Sequence, residues 1–155
     1  TGFAMNNEMQ NFSTYSGSPN ELISGRRPLT IIVPTIVENP EGEVLMIAGS
    51  PGSSRITSTL IQIIVNVVDL KMPVALAMKT PKFTTYDTED SLTIEGGYSK
   101  STIDALKNYY GYKIIEKGPL DLYFGGPNIV YRYSDGTLLG IGSFRREGGA
   151  SAPQW

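Results

Sequence analysis

A Gly-, Ser- and Pro-rich run at residues 48–55 lies between a strand-like apolar stretch and a strongly apolar helical pattern that begins at Ile56. Glycine, serine and proline let the backbone turn sharply at this point. A helix that begins just after the turn leaves its first backbone N–H groups without intrahelical acceptors. Such groups can hold a phosphate, a carboxylate or the oxyanion of an acyl-transfer transition state. The run therefore predicts a strand–turn–helix unit that can bind an anion.

The turn matches neither of two familiar motifs. It lacks the Gly-Lys-Ser/Thr of a P-loop, so no lysine would reach a β- or γ-phosphate. It is not a Gly-x-Ser-x-Gly nucleophile elbow, and the chain has no histidine to activate such a serine. Taken alone, it also fits a plain strand-to-helix connection in which Ser53 or Ser54 caps the helix. The residues of the turn leave both interpretations open.

Composition narrows the chemistry further. The 155 residues include no cysteine and no histidine, which excludes Ser-His-Asp and Cys-His catalysis and thiolate or imidazole metal sites built from this chain. Covalent catalysis would need Ser, Thr, Lys or a carboxylate. The net charge of -2 gives no electrostatic footprint for nucleic acid. We expect no metal and no cofactor, and the lack of cysteine is compatible with any compartment.

The length suits a single domain over residues 1–155. Strand patterns occur at residues 3–5, 30–37, 44–48, 112–116, 129–133 and 138–141, with Pro34 interrupting the second. Helical spacing occurs at residues 56–68, 73–79 and 99–109. Ile61 and Val65 widen the apolar stripe of the first helix, which predicts a helix buried between layers. With an irregular loop at residues 13–25, the pattern predicts an α+β chain with antiparallel strands rather than alternating βαβ units.

Three candidate groups have plain alternatives. Thr1 could combine nucleophile and base through its own α-amine, yet the glycine after it indicates a loop, and trimmed chains often begin with threonine. No two carboxylates have a spacing that forces them together, so a glycosidase-like pair has no support. Arg145 and Arg146 could clamp a carboxylate, although a solvated surface pair is the commoner arrangement. The start without an initiator methionine indicates a processed or trimmed piece.

Five segments, in order and at matching spacing, carry a resemblance to one family. They read Asn-Asn-Glu-Met-Gln-Asn-Phe-Ser at 6–13, Arg-Arg-Pro-Leu at 26–29 with Pro-Thr-Ile at 34–36, Gly-Ser-Pro-Gly-Ser-Ser-Arg-Ile at 49–56, Pro-Lys-Phe at 81–83 and Gly-Ile-Gly-Ser-Phe-Arg at 140–145. They resemble Asn-Asn-Glu/Gln-Met-Asp-Asp-Phe-Ser, Lys/Arg-Arg-Pro-Leu-Ser-Ser-x-x-Pro-Thr-Ile, Gly-Ser-Pro-Gly-Gly-Ser-Arg-Ile, Pro-Arg-Phe and Gly-x-x-Asp-Pro-Arg of the γ-glutamyltranspeptidase small subunit. Ser143 and Phe144 replace the Asp-Pro of the last motif.

The resemblance implies an N-terminal-nucleophile hydrolase fold, a four-layer αββα sandwich of antiparallel sheets flanked by helices. Such enzymes cleave their own precursor into a large and a small subunit, and the new N-terminal threonine attacks a γ-glutamyl amide. Thr1 then falls downstream of that nucleophile. We therefore expect this chain to be the C-terminal part of the small subunit, partnered by the large subunit and inactive alone. The family also suggests a secreted, periplasmic or cell-surface location.

The resemblance also assigns site residues. Gly52 and Ser53 would offer backbone N–H groups as an oxyanion hole, with Ser53 in place of the family's second glycine. Glu8 aligns with the family's Glu/Gln and Asn11 with its Asp, both of which contact the α-amino group of the substrate. Thr30 and the residue after it align with the Ser-Ser pair that holds the α-carboxylate.

Two of these positions differ from the family in ways that bear on the substrate. Asn11 offers no full negative charge to an ammonium, and Ile31 offers no hydroxyl. Glutathione should therefore bind less well than an internal residue of poly-γ-glutamate, whose amine is acylated. Arg55 or Arg145 would then partner the polymer's carboxylates. The alternatives are an ordinary γ-glutamyltransferase, a cephalosporin-acylase-like amidase, a non-catalytic homologue that binds a partner, and a stand-alone anion-binding module.

Overall fold

The computed structural model describes residues 2–3, 5–85 and 91–152. The contacts divide the chain into two compact units, Thr1–Ile31 and Ile32–Trp155. The first unit contains a 3₁₀-helical turn, Glu8–Asn11, and the loop that follows is irregular, as predicted. Of the strand predicted at residues 3–5, Ala4 lies outside the described residues, and Phe3 and Met5 belong to no strand.

The second unit combines seven strands and three helices in its described part. In chain order these are β1 (Thr35–Glu38), β2 (Val44–Gly49), α1 (Ile56–Val68), α2 (Val74–Lys79), β3 (Phe83–Thr84), β4 (Ser91–Ile94), α3 (Lys100–Asn108), β5 (Lys113–Glu116), β6 (Asn128–Arg132) and β7 (Leu138–Ile141). Two further 3₁₀-helical turns are Ser53–Arg55 and Leu122–Phe124. The mixed helix and sheet content confirms the predicted α+β class.

One antiparallel sheet with strand order β1-β2-β6-β7 forms one side of the main core. Met46 and Ala48 of β2 and Ile129 of β6 are buried on the face that packs against the helices. Helix α1 covers that face because its apolar residues recur three and four positions apart. Its buried residues are Ile56, Thr59, Leu60, Ile63 and Val67. Full burial of each large aliphatic side chain contributes about 1.5–3 kcal/mol.

The opposite face of this sheet is apolar and exposed. Ile36, Ile47, Val130 and Gly140 lie side by side across the four strands. The exposed fractions of the first three side chains are 63%, 49% and 43%. An apolar sheet face of this kind is normally covered by another layer of structure.

A smaller sheet with strand order β3-β4-β5 contains a parallel pair. Strand β4, helix α3 and strand β5 form a βαβ unit, and Ser99 caps α3 by accepting a hydrogen bond from the Thr102 N–H (3.1 Å). This single unit does not make an alternating βαβ pattern, and the other strand pairs are antiparallel, as predicted. Strands β3 and β4 were not predicted.

Two further expectations differ from the structure. The strand predicted at residues 30–37 begins only at Thr35, because Pro34 has no N–H to donate to a neighbouring strand. On α1, Ile61 and Val65 are exposed by 54% and 40%, so the described residues bury only one side of the helix. The helices predicted at residues 56–68, 73–79 and 99–109 and the strands near residues 44–48, 112–116, 129–133 and 138–141 are confirmed within one residue or two.

Candidate active site

The predicted turn connects the end of β2 at Gly49 to α1. Its backbone reverses at Gly52, which has a φ of 149°, and Ser53 follows in the left-handed region with a φ of 56°. A non-glycine residue is uncommon there, because its Cβ approaches the next carbonyl and costs about 1–2 kcal/mol. The strained conformation explains why a glycine at position 53 would suit this turn, and it orients two successive peptide groups.

The N–H groups of Gly52 and Ser53 face no acceptor within the described part of the chain. Neither group donates a hydrogen bond, and no side chain caps the 3₁₀-helical turn that follows. Two adjacent N–H groups that are held in place and free can stabilise a developing negative charge. The structure therefore fits the predicted use of this turn as an anion-holding site, while the oxyanion role itself stays a prediction.

The segment at residues 124–126 lies directly behind the turn. The Gly126 N–H donates to the Pro51 carbonyl oxygen (3.1 Å) and to Ser50 Oγ (3.3 Å). The Ser50 hydroxyl also donates to the Pro51 oxygen (2.7 Å). Thr59 Oγ1 of α1 donates to the Phe124 carbonyl (2.9 Å), and both residues are fully buried. The turn is thus tied to a second backbone segment far away in sequence.

Arg55 stacks on a tyrosine beside the turn. Its guanidinium carbon lies 4.5 Å from the centre of the Tyr123 ring, and its Nε donates to the Tyr123 carbonyl (3.3 Å). Its Nη1 donates to Ser54 Oγ (3.1 Å). Lys117 Nζ lies 4.7 Å from the same ring centre. Arg55 therefore holds the turn against Tyr123, and its predicted contact with a substrate carboxylate stays a prediction.

A buried ion pair anchors the other side of this region. Arg145 donates to Glu95 through Nε (2.7 Å) and Nη2 (2.5 Å), and the side chains are 0% and 1% exposed. Glu95 also accepts the backbone N–H groups of Lys82 (2.9 Å) and Asp121 (2.8 Å). Four charge-assisted hydrogen bonds compensate the desolvation of the carboxylate.

Lys82 is the second cation of this buried cluster. Its ammonium donates to the carbonyl oxygens of Ala77 (2.9 Å) and Thr80. The pKa of Lys82 is lowered to about 7, mainly by burial and also by the Arg145 charge, while the Glu95 charge opposes the change.

The surface position expected for Arg145 was wrong, because its side chain is buried with a satisfied carboxylate partner. Its Nη1 and Nη2 also donate to the carbonyls of Met78 (2.8 Å) and Thr80 (3.1 Å). These contacts direct the guanidinium into the protein, so the geometry gives no support to the predicted contact with a polymer carboxylate. Arg146, its neighbour, is exposed.

The first unit brings together two of the predicted substrate-binding residues. Asn11 Nδ2 donates to Glu8 Oε2 (2.8 Å), and both residues are half-buried. Asn20 connects them to the next predicted residue: its Nδ2 donates to the Asn11 carbonyl (2.6 Å) and its Oδ1 accepts the N–H of Leu29 (2.9 Å). Thr30, which follows Leu29, is exposed. Glu8 also lines a cavity of about 350 Å³ in this unit.

Sequence reasoning missed Glu95, Asn20 and the segment at residues 121–126. Glu95 was one of several scattered carboxylates, and only its apolar surroundings at 92–94 indicated burial. The Gly-Gly-Pro at 125–127 was a detectable signal of close backbone approach. Thr1, considered as a nucleophile, lies outside the described residues, as do Asp87, Glu89 and Asp90.

The described residues form neither a metal-binding cluster nor a membrane-spanning helix. No group of three or more acidic side chains there could hold a metal ion. No helix among them is long and apolar enough to cross a membrane.

Comparison with known proteins identifies the family. The Gamma-glutamyltranspeptidase family profile matches residues 1–153. The "Glutathione hydrolase proenzyme" of Escherichia coli (strain K12) is 37% identical over 150 residues, which cover 90% of this chain and 25% of that protein. The chain belongs to the γ-glutamyltranspeptidase family, as the five motifs predicted. It spans a fifth to a quarter of the length of the curated relatives that it matches first.

Solved structures agree on the fold. A mutant γ-glutamyltranspeptidase from Helicobacter pylori matches with a TM-score of 0.78 and 33% identity, covering 94% of this chain and 82% of that one. The transpeptidase enzyme CapD of Bacillus anthracis matches with a TM-score of 0.70 over 97% of this chain and 91% of that one, and its 24% identity shows the fold alone. The fold is that of the N-terminal-nucleophile hydrolases.

Proposed function

We propose that this chain forms the C-terminal part of the small subunit of an enzyme that cleaves γ-glutamyl amide bonds by acyl transfer. The observation that supports this proposal most directly is the pair of free N–H groups at Gly52 and Ser53, which unusual backbone angles fix just before helix α1. Family membership supplies the substrate class, a γ-glutamyl amide. The family's nucleophile is a threonine, and the proposal places that residue upstream of Thr1.

The reaction proceeds through a covalent intermediate. A threonine upstream of Thr1 attacks the γ-carbonyl carbon, and its proton passes to its own α-amine. The carbonyl oxygen becomes an oxyanion that accepts hydrogen bonds from the Gly52 and Ser53 N–H groups. The C–N bond then breaks, the amine leaves with the proton, and water or a second amine releases the γ-glutamyl group.

In this proposal the nucleophile lies in a layer of structure that covers the exposed face of the four-stranded sheet. The exposed apolar row of Ile36, Ile47 and Val130 supports it, because a stable sheet would have this face covered. We propose that the nucleophile strand and the large subunit of the same precursor supply that cover. Names of relatives that contain the word proenzyme agree with a processed precursor.

The predicted substrate-binding residues favour a substrate whose α-amine is acylated. Asn11 carries no charge, and its amide occupies one oxygen of Glu8, so less negative charge faces a free ammonium. Ile31 cannot hydrogen-bond an α-carboxylate through its side chain. We therefore propose poly-γ-glutamate as a better substrate than glutathione.

The test uses the full-length protein that contains this chain. Purified protein is assayed with γ-glutamyl-4-nitroanilide, glutathione, poly-γ-glutamate and a glutaryl amide, and a rapidly quenched sample is weighed by intact-mass spectrometry. We expect a γ-glutamyl adduct on the small subunit and a higher kcat/KM for poly-γ-glutamate. Turnover of the glutaryl amide alone would favour an acylase, and an uncleaved, inactive precursor would favour a binding protein.

A further inference from the structure

We propose that Gly125 is a positioning residue for the oxyanion-hole turn, because its backbone holds the peptide group that carries the Gly52 N–H. The inference rests on the proposed function, since it concerns how that turn is aimed. Gly125 does not touch the reacting atoms in this proposal. It acts through the peptide group between Pro51 and Gly52.

Two glycines face each other at this place. A Cβ added to Gly125 would overlap the Pro51 carbonyl oxygen and lie 3.0 Å from Ser50 Oγ. A Cβ added to Gly52 would lie 3.0 Å from the Gly125 Cα. Gly125 also has a φ of 83°, which side chains rarely adopt. The two backbones are therefore as close as they can be only because neither residue has a side chain.

Hydrogen bonds to the Pro51 oxygen fix the orientation of the peptide group between Pro51 and Gly52. The Pro51 oxygen accepts the Gly126 N–H (3.1 Å) and the Ser50 hydroxyl (2.7 Å). The Pro51 carbonyl and the Gly52 N–H belong to one planar trans peptide group, so they point in opposite directions. Anchoring the oxygen toward Gly126 therefore turns the Gly52 N–H away from this segment, toward the open side where an oxyanion can bind.

The anchoring segment, residues 121–126, is held by hydrogen bonds to two other parts of the chain and by one within itself. Phe124 is fully buried, and its carbonyl accepts the Thr59 hydroxyl of α1 (2.9 Å). The Tyr123 N–H donates to Asp121 Oδ1 (2.8 Å). The Asp121 N–H in turn donates to Glu95 of the buried ion pair (2.8 Å). A segment fixed in this way resists a push from the turn, so a side chain added at Gly125 would displace the turn instead.

The test compares Gly125→Ala with Gly136→Ala in the full-length protein. Gly136 is the matched control because its φ of 85° is nearly the same, whereas a Cβ there meets nothing within 4 Å. The kcat per active site and the KM are measured with γ-glutamyl-4-nitroanilide, and active sites are counted by the stoichiometry of a covalent γ-glutamyl adduct. We expect Gly125→Ala to lower kcat about 100-fold, the loss typical of one oxyanion donor, with KM within about two-fold.

Each outcome decides the matter. A kcat per active site for Gly125→Ala within about three-fold of wild type, a change in KM alone, or an equal loss in Gly136→Ala would overturn the inference. If Gly125→Ala yields no folded protein, Ser50→Ala decides. That variant removes one of two hydrogen bonds to the Pro51 oxygen, and we expect kcat to fall several-fold at constant KM; an unchanged kcat would refute the inference. A wild-type protein without activity on any γ-glutamyl amide would instead defeat the proposed function, and this inference with it.

Discussion

Lys82, the buried lysine beside the Glu95–Arg145 pair, gives the stability of the fold a pH dependence of defined sign. Its side chain is 0% exposed, and burial lowers its pKa from 10.5 to about 7. In the unfolded chain the same ammonium titrates near 10.4. The perturbation we consider is Lys82→Arg, which keeps a cation that does not titrate, with Lys82→Met as an uncharged second variant.

The sign follows from counting protons. Below about pH 7 both states hold the proton, and above about pH 10.5 neither does. Between these limits the unfolded chain binds nearly one proton more than the folded chain, so rising pH favours folding. One proton corresponds to about 1.4 kcal/mol per pH unit, which gives about 2 kcal/mol of added stability between pH 7.5 and 9.0. In this range Tyr98, whose pKa burial raises to about 12, contributes little.

The assay is urea unfolding of the full-length protein at pH 7.5, 8.25 and 9.0, for wild type and both variants. Only the difference in pH slope between variants is used, because the contributions of other groups cancel in it. We expect wild type to gain about 2 kcal/mol relative to each variant across the range. Parallel slopes in all three proteins would refute the reasoning, since they would mean that Lys82 holds the same number of protons in both states.

Three further predictions concern single residues. Ser53→Gly should keep kcat and stabilise the protein by about 0–1 kcal/mol, because relief of the left-handed strain exceeds the added entropy of the unfolded state. Steady-state kinetics and thermal melting measure both quantities, and the β-branched variant Ser53→Val should lose active protein. Thr59→Val should cost about 1–3 kcal/mol in a thermal melt, because it leaves the buried Phe124 carbonyl unpaired, and an unchanged melt would contradict that bond. Glu95→Gln should cost about 3–5 kcal/mol in urea, since it leaves the Arg145 charge uncompensated, and a smaller loss would point to an alternative partner.

The elements that could be predicted are those with a recognisable apolar pattern. Helix α1 shows its buried side as apolar residues three and four apart, and β2 and β6 are short apolar runs. Strand β4 was missed although its residues, Ser-Leu-Thr-Ile, alternate between polar and apolar side chains. Such alternation is typical of a strand with one open face, so the burial of all four residues could not be predicted from it.

The residues of the candidate site also differ in whether their role could be predicted from the sequence. The turn at Gly52 is readable because glycine, proline and serine have local conformational meaning. The burial of Arg145 is not, since arginine is rarely buried and its partner Glu95 lies 50 residues earlier in the chain. Only the three-dimensional structure pairs them. A charged residue whose motif invites a substrate role can therefore be an internal anchor, and sequence spacing does not distinguish the two.

The position of Ser53 shows how the turn tolerates a departure from the family motif. If the aim of the Gly52 N–H depends on the Pro51 oxygen and its partners at Gly125 and Gly126, the side chain at position 53 is free to vary, provided that the backbone there stays left-handed. The Ser53 side chain is exposed, so the substitution costs strain at one residue and no lost contact. By the same reasoning Gly125 cannot vary, because its constraint is the space occupied by the Pro51 oxygen. We therefore expect the glycine behind the turn, rather than the second residue of the turn itself, to be the position that limits activity.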